Sequence, residues 1–359
     1  MSMSAWVGTR KGLFELRHEG GDGDAWQIAN ISFLAEPVSM VLPPDAQGHM
    51  LVALNLGHFG VKVQASKDRG KSWSEVATPT YPAQPEGAEG PAWKLVQIWS
   101  MERDARGAIW AGTNPGGLFK SADGGASWQL NESLWHRKER LGWFGGGYDS
   151  PGIHSICMHP QHPDEMLLGI SCGGAWRTTD GGADWQLRAA GMRADFMPPE
   201  QNGEQNIQDP HLIVRSASAP DVLWTQHHCG IWRSADNGAS WHECKTEPSS
   251  FGFAVAAHPK DGNTAWFVPA IKDEKRVPVD AALCVTRTRD GGKSFEVLRN
   301  GLPQRHAYDL IYRHSLAVDD SGQHLLMGST TGNLWASADG GDHWTTVAAH
   351  LPPIYAVKI

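Results

Sequence analysis

Apolar residues in this chain come in short runs cut by turns rich in Gly, Asp, Ser and Pro. Residues 153–189 show the grammar. "IHSICM" ends at a His-Pro-Asp turn, "MLLGIS" follows, a glycine pair leads into "GAWRT", and after an eight-residue phrase "WQLRA" begins. Runs this short, with no 3.6-residue period, predict strands, and four joined by tight turns predict one antiparallel sheet. The phrase before the fourth strand recurs as "SKDRGKSW" (66–73), "SADGGASW" (121–128), "TTDGGADW" (178–185), "SADNGASW" (234–241), "TRDGGKSF" (288–295) and "SADGGDHW" (337–344). Successive aspartates lie 49 to 57 residues apart, a period that signals a propeller or another repeat array.

A seventh unit opens the chain. Residues 7–28 parallel 111–130 with the phrase degraded at 22–26, and no first strand precedes them. The segment 351–359, "LPPIYAVKI", matches the first-strand segment 37–44, "PVSMVLPP". The predicted fold is therefore all-β: a single domain over 1–359, a seven-bladed β-propeller of four-stranded antiparallel blades. The C-terminal strand completes the N-terminal blade, which removes the open edges. Within the phrase, Asp is expected to accept backbone N–H groups one or two residues on, Gly to supply positive φ, and the aromatic to tuck between blades. One copy per blade is too dispersed for the copies to act together, so the phrase is read as architecture.

The pattern S/T-x-D-x-G-x-x-W/F resembles the Asp-box, or BNR repeat, of sialidases, some other glycoside hydrolases, sortilin-type receptors and propeller-shaped photosystem II assembly factors. The resemblance implies the propeller. Its families do unrelated jobs, so function has to come from the site. A sialidase would show three arginines gripping a carboxylate, a Tyr–Glu nucleophile pair and an early R-I-P segment. Here the first-blade arginine sits in "GTRKG", only Arg10, Arg305 and Arg313 are plausible on the right face, and neither Tyr148 nor Tyr308 has an identifiable glutamate partner. Classical sialidase activity is not expected.

Composition narrows the class further. The 359 residues carry a formal net charge of −8 without a Lys/Arg run, which argues against a nucleic-acid partner. No run of ~18 apolar residues predicts a membrane span, and the start lacks a secretory pattern. Five unpatterned cysteines (157, 172, 229, 244, 284) read as reduced thiols, so a cytoplasmic location is expected.

In such a propeller, first-to-second and third-to-fourth strand turns share one face with the repeated phrase. The other face carries the long connections 78–93, 131–152, 190–210, 269–282 and 299–312, where function is expected. Aligning first strands brings His154, His211 and His314 to one position, with Val38, about Gln97 and Phe253 in the other repeats. Innermost strands begin at the channel mouth, so these imidazoles are expected there, with His227, His228, Arg10, Arg313 and Tyr148 as further ligand-binding candidates. Asp149, Asp209 and Asp309 are the candidate catalytic carboxylates, with Glu200 on the same face. Three readings stand. The histidines satisfy backbone groups and water; or, with Gln226 or Asp209, they hold a divalent metal; or they line a glycosidase-like or anion-binding pocket, with carboxylates as acid and base and His and Arg as substrate contacts, where hydrolysis needs two carboxyl groups ~5 to ~9.5 Å apart. No contiguous ligand motif supports the metal. Trp135, Trp143, Phe144 and Tyr148 either stack on sugars or pack down their loop, while His159 and His258 read as turn residues on the opposite face. The lead expectation is a glycoside-hydrolase-like protein acting on or binding a carbohydrate-like ligand. The alternatives are a non-catalytic scaffold for a protein partner and a metal-dependent lyase or hydrolase.

Overall fold

The computed structural model describes residues 3–19, 25–146 and 148–359. Their strands form seven four-stranded sheets, and the fold is a seven-bladed β-propeller. In one blade the strands Ile153–Met158, Met166–Ile170, Gly174–Thr178 and Gln186–Leu187 pair antiparallel in chain order. The inner strands are almost wholly buried and the last is exposed. Inner strands are covered on both faces, which is why they read as unbroken apolar runs rather than alternating ones. The N-terminal sheet takes Ile354–Lys358 as its first strand, with Val7 opposite Val357 and Gly8 opposite Ala356, as the sequence predicts. The degraded phrase at 22–26 falls mostly outside the described residues.

The chain divides into two compact units. Unit 1 comprises Met1–Val38, Val214–Ser234 and His242–Ile359; unit 2 comprises Ser39–Ile213 and Ala235–Trp241. Unit 1 is built on clusters around Trp266, Leu325 and Trp335, and around Val7, Leu16 and Ile354. Unit 2 is built on clusters around Phe119 and Trp135, and around Ile153, Trp176 and Trp185. Neighbouring blades of unit 2 approach closely. The Ser100 hydroxyl donates to the Ile153 carbonyl (2.9 Å), and a Cβ on Gly112 would lie 2.4 Å from that oxygen. Among the described residues, no helix is long and apolar enough to cross a membrane. All five cysteines are free thiols.

The repeated phrase is a self-capped turn, but its bonds reach further than the sequence suggests. Asp123 accepts the N–H of Ser127 (2.9 Å) and its hydroxyl (2.6 Å), while Ser121 Oγ donates to Asp123 (2.8 Å) and accepts Gly125 N–H (2.8 Å). The expected span of one or two residues is corrected to four, because two consecutive positive-φ residues, Gly124 and Gly125 here, curl the chain back over the carboxylate. The two backbone N–H bonds recur around Asp68, Asp180 and Asp290. The phrase aromatics anchor to the preceding blade: Trp128 Nε1 donates to the Ala77 carbonyl (2.8 Å) and Trp185 Nε1 to Asn131 (2.9 Å).

Candidate functional site

Two innermost strands of unit 2 begin irregularly. In Gln97–Arg103, Ile98 faces Thr113 and Ser100 faces Gly112, so Trp99 is the extra residue of a bulge. In Ile153–Met158, Ile153 faces Ile170 and Ser155 faces Gly169, which makes His154 the extra residue there. A bulge leaves one residue unpaired and re-aims its side chain. The structural counterpart of His154 is therefore Trp99. The alignment that placed Gln97 opposite His154 is corrected by two residues.

Trp99, half-buried, is the centre of the site in unit 2. The rings of Tyr148 and His154 meet it edge to face at 5.2 and 5.5 Å, with interplanar angles of 81° and 80°. That geometry suits the quadrupoles of the rings. Tyr148 is 44% exposed and donates its hydroxyl to Gln97 Oε1 (3.1 Å). His154 is fully buried, with Nδ1 2.9 Å from Ser155 Oγ, which in turn accepts the Ile213 N–H (2.9 Å). Gly152 clears room for the indole: a Cβ there would lie 2.4 Å from Trp99 Cε3.

Asp209 and His211, both 1% exposed, come together in the same unit, with Oδ2 3.6 Å from His211 Nε2. Asp209 Oδ1 accepts the Cys172 N–H (3.2 Å) and the Ser171 hydroxyl (3.3 Å). These bonds hold the turn between Met166–Ile170 and Gly174–Thr178, where Cys172 has φ +46°. A Cβ on Gly146 would lie 3.0 Å from Asp209 Oδ2, so Gly146 lies over this carboxylate, while Asp149 is exposed. Asp209 and His211 would offer a metal two ligand atoms, an oxygen and an imidazole nitrogen. Glu200 is exposed.

The remaining candidates lie in unit 1. His227 is fully buried, and its Nδ1 accepts the Cys229 N–H (3.0 Å), closing the hairpin between Leu223–His227 and Gly230–Ser234. Gln226 donates to the carbonyls of Gly230 (3.1 Å) and Ser250 (2.9 Å). His228 meets Phe251 edge to face at 5.9 Å. Asp309, 6% exposed, accepts from Thr331 and from Asn333 Nδ2 (2.8 Å), pinning its loop to the 329–333 turn. The His314 carbonyl accepts Val357 N–H (2.7 Å), tying it to the closing strand. Arg10 is exposed, and Arg313 stacks over Phe253.

The loop aromatics divide. Trp135 and Trp143 are buried; Trp135 carries the Arg140 guanidinium at 3.7 Å and packs its loop down. Burial lowers the Arg140 pKa, since the charged form is the one desolvated. Phe144 and Tyr148 remain exposed. His159 and His258 cap their turns, Nδ1 accepting N–H groups two residues on. Trp99 escaped the sequence reading although "IWSM" repeats the frame of "IHSI". The signal was there, in the serine that follows each.

No family model matches the chain. A xyloglucanase from a Paenibacillus species is 24% identical over 217 residues, 56% of this chain and 18% of that enzyme. The chain thus spans under a fifth of the length of the curated relative it matches. Among solved structures, an ancestral GH74 enzyme superposes with a TM-score of 0.60 at 15% identity, over 83% of this chain and 36% of that one. A structure of YCF48 bound to D1 peptide gives 0.57 at 15% identity, over 93% and 89%. Likenesses at these identities show the propeller fold.

Proposed function

We propose that this protein binds a carbohydrate chain on the loop surface of unit 2, with Trp99 as the stacking ring. One observation carries the reading: a half-buried indole is presented on a bulge and braced by Tyr148 and His154. A braced ring loses little freedom when a sugar face settles on it, which favours affinity. The partial likeness to a xyloglucanase supports the ligand class. Binding is favoured over cleavage because Asp209 is buried and committed to its turn, while Asp149 is exposed; hydrolysis needs two carboxyl groups facing one bond.

Titration calorimetry with xyloglucan oligosaccharides tests this. Trp99→Ala is expected to weaken binding about tenfold, from ~1.4 kcal/mol of lost stacking. No binding by the wild type, or full affinity in the variant, overturns it. A second reading is favoured by Leu141, Phe144 and Phe196, exposed at 54, 37 and 40%, with the two phenyl rings 6.5 Å apart. Apolar rings on a loop surface suit a protein partner. Under that reading Phe144→Ser abolishes partner capture and leaves oligosaccharide affinity unchanged.

A further inference from the structure

Unit 1 has an aromatic and cationic cluster of its own around Phe253. The strand Gly252–Ala257 also begins with an irregularity, its register shifting between Gly252 and Val255, and Phe253 falls within it. Two guanidinium groups face its ring, Arg276 at 5.2 Å and Arg313 at 5.3 Å from the centroid. Phe251 (5.4 Å) and Tyr312 (6.2 Å) meet the same ring edge to face, and Tyr355 lies 6.2 Å beyond Tyr312.

The donors here exceed the acceptors. Arg276 directs Nε and Nη2 to Asp273, and its Nη1 makes no hydrogen bond among the described residues. The Tyr312 hydroxyl and Lys275 Nζ are likewise unengaged among the described residues. The acids of these loops are spoken for: Asp273 by Arg276, Glu274 by Lys272, and Asp309 by Thr331 and Asn333. Asp280 is the exception, exposed to solvent. Segments 270–282 and 304–315 together hold five Lys/Arg against four Asp/Glu, in a chain of net charge −8. Two cations on one ring raise the local potential against that overall trend, and an arginine fork with open donors matches an oxyanion.

We propose that this cluster is an oxyanion-binding site, separate from the Trp99 surface, for a small organic ligand that carries a carboxylate or a phosphate. Arg276 Nη1 and the Tyr312 hydroxyl donate to the oxyanion. Arg313, 8% exposed, adds its positive field, and the Tyr312 ring covers the organic part. Carboxylate and phosphate offer the same acceptors, so the source is decided by titration.

The experiment measures binding of glucuronate, glucose 1-phosphate and glucose by calorimetry, for the wild type, Arg276→Gln and Tyr312→Phe, at low and high salt. At least one anion is expected to bind while glucose does not. Arg276→Gln is expected to lose fivefold or more and Tyr312→Phe two- to threefold, and added salt to weaken the interaction. Arg276 is partly exposed, so the glutamine variant should fold normally. Failure of both anions to bind, equal binding of glucose, or unchanged affinity in Arg276→Gln overturns the proposal. Oligosaccharide binding at Trp99 is read in its own titration with Trp99→Ala, so either site can fail without the other.

Discussion

Gly152→Ala probes the Trp99 surface with a single methyl group. The new Cβ would lie 2.4 Å from Trp99 Cε3 and 2.6 Å from Cζ3. Carbon atoms rest ~3.5–4.0 Å apart, so the overlap is about 1 Å and something has to move. Overpacking of this kind costs ~1–3 kcal/mol. The indole is only half-buried and can swing outward, which sets the expected loss at the lower end. Swinging outward breaks the edge-to-face contacts with Tyr148 and His154, each ~0.5–1.5 kcal/mol beyond area burial. Urea unfolding should therefore show a lower midpoint with an unchanged m-value, because the exposed area on unfolding is the same. Xyloglucan-oligosaccharide affinity should fall about tenfold, since a displaced ring forfeits ~1.4 kcal/mol of stacking. Gly203→Ala is the control, with nothing within 4 Å of the added atom. If Gly152→Ala keeps both the midpoint and the affinity of the control, Trp99 is not held by this contact and the reasoning is wrong.

Other consequences are testable alongside. The Asp68, Asp123 and Asp290 carboxyls are held at about 2, each chiefly by the serine hydroxyl four residues on. Their folded pKa lies below the unfolded value of 3.8, so their contribution is full above pH 4 and is lost as pH falls from there toward 2; urea midpoints across that window should drop, and a triple Asp→Asn variant should flatten the slope. Ser155→Ala strips the acceptor from the buried Ile213 N–H and should cost ~1–3 kcal/mol by urea unfolding; a loss under ~0.5 kcal/mol would show another acceptor takes over. Asp209→Ala should cost a similar amount by orphaning the Cys172 N–H, whereas Asp209→Asn keeps an acceptor and should stay within ~1 kcal/mol of the wild type. A divalent ion held by Asp209 and His211 would instead make stability sensitive to a chelator in the wild type and in neither variant, which melting with and without EDTA decides.

The blade count, strand order and terminal strand exchange were legible because they rest on repetition, and six copies of one phrase leave little freedom in how the chain is cut. The phrase's own hydrogen bonds were less legible. Their four-residue reach goes with two consecutive positive-φ residues, Gly124 and Gly125 in one copy but Arg69 and Gly70 in another, and sequence names such residues without giving the path between them. Roles of individual polar candidates were least legible. Asp309, His227 and Asp209 stand at loop ends where a catalytic group would stand, and each accepts hydrogen bonds that close a turn. A loop carboxylate or imidazole that caps a turn and one that meets a ligand have the same sequence signature, and the partner across the loop separates them.

Turn length explains why the first strands were aligned out of register. Gln97 was matched to His154 by counting back from the following turns, but the turn from Arg103 to Ile109 is two residues shorter than the one from Met158 to Met166. The serines Ser100 and Ser155, each opposite a glycine, mark the true register. Once register is counted from those serines, the residue before each one is the re-aimed position, Trp99 in one blade and His154 in the next. Phe253 occupies a similar irregularity in its own blade, and there an aromatic replaces the imidazole. A strand that opens with a bulge takes one side chain out of the regular ladder. The chemistry placed at those positions (an indole and an imidazole in unit 2, a phenyl ring under two guanidiniums in unit 1) can then vary without disturbing the paired residues that hold the blade.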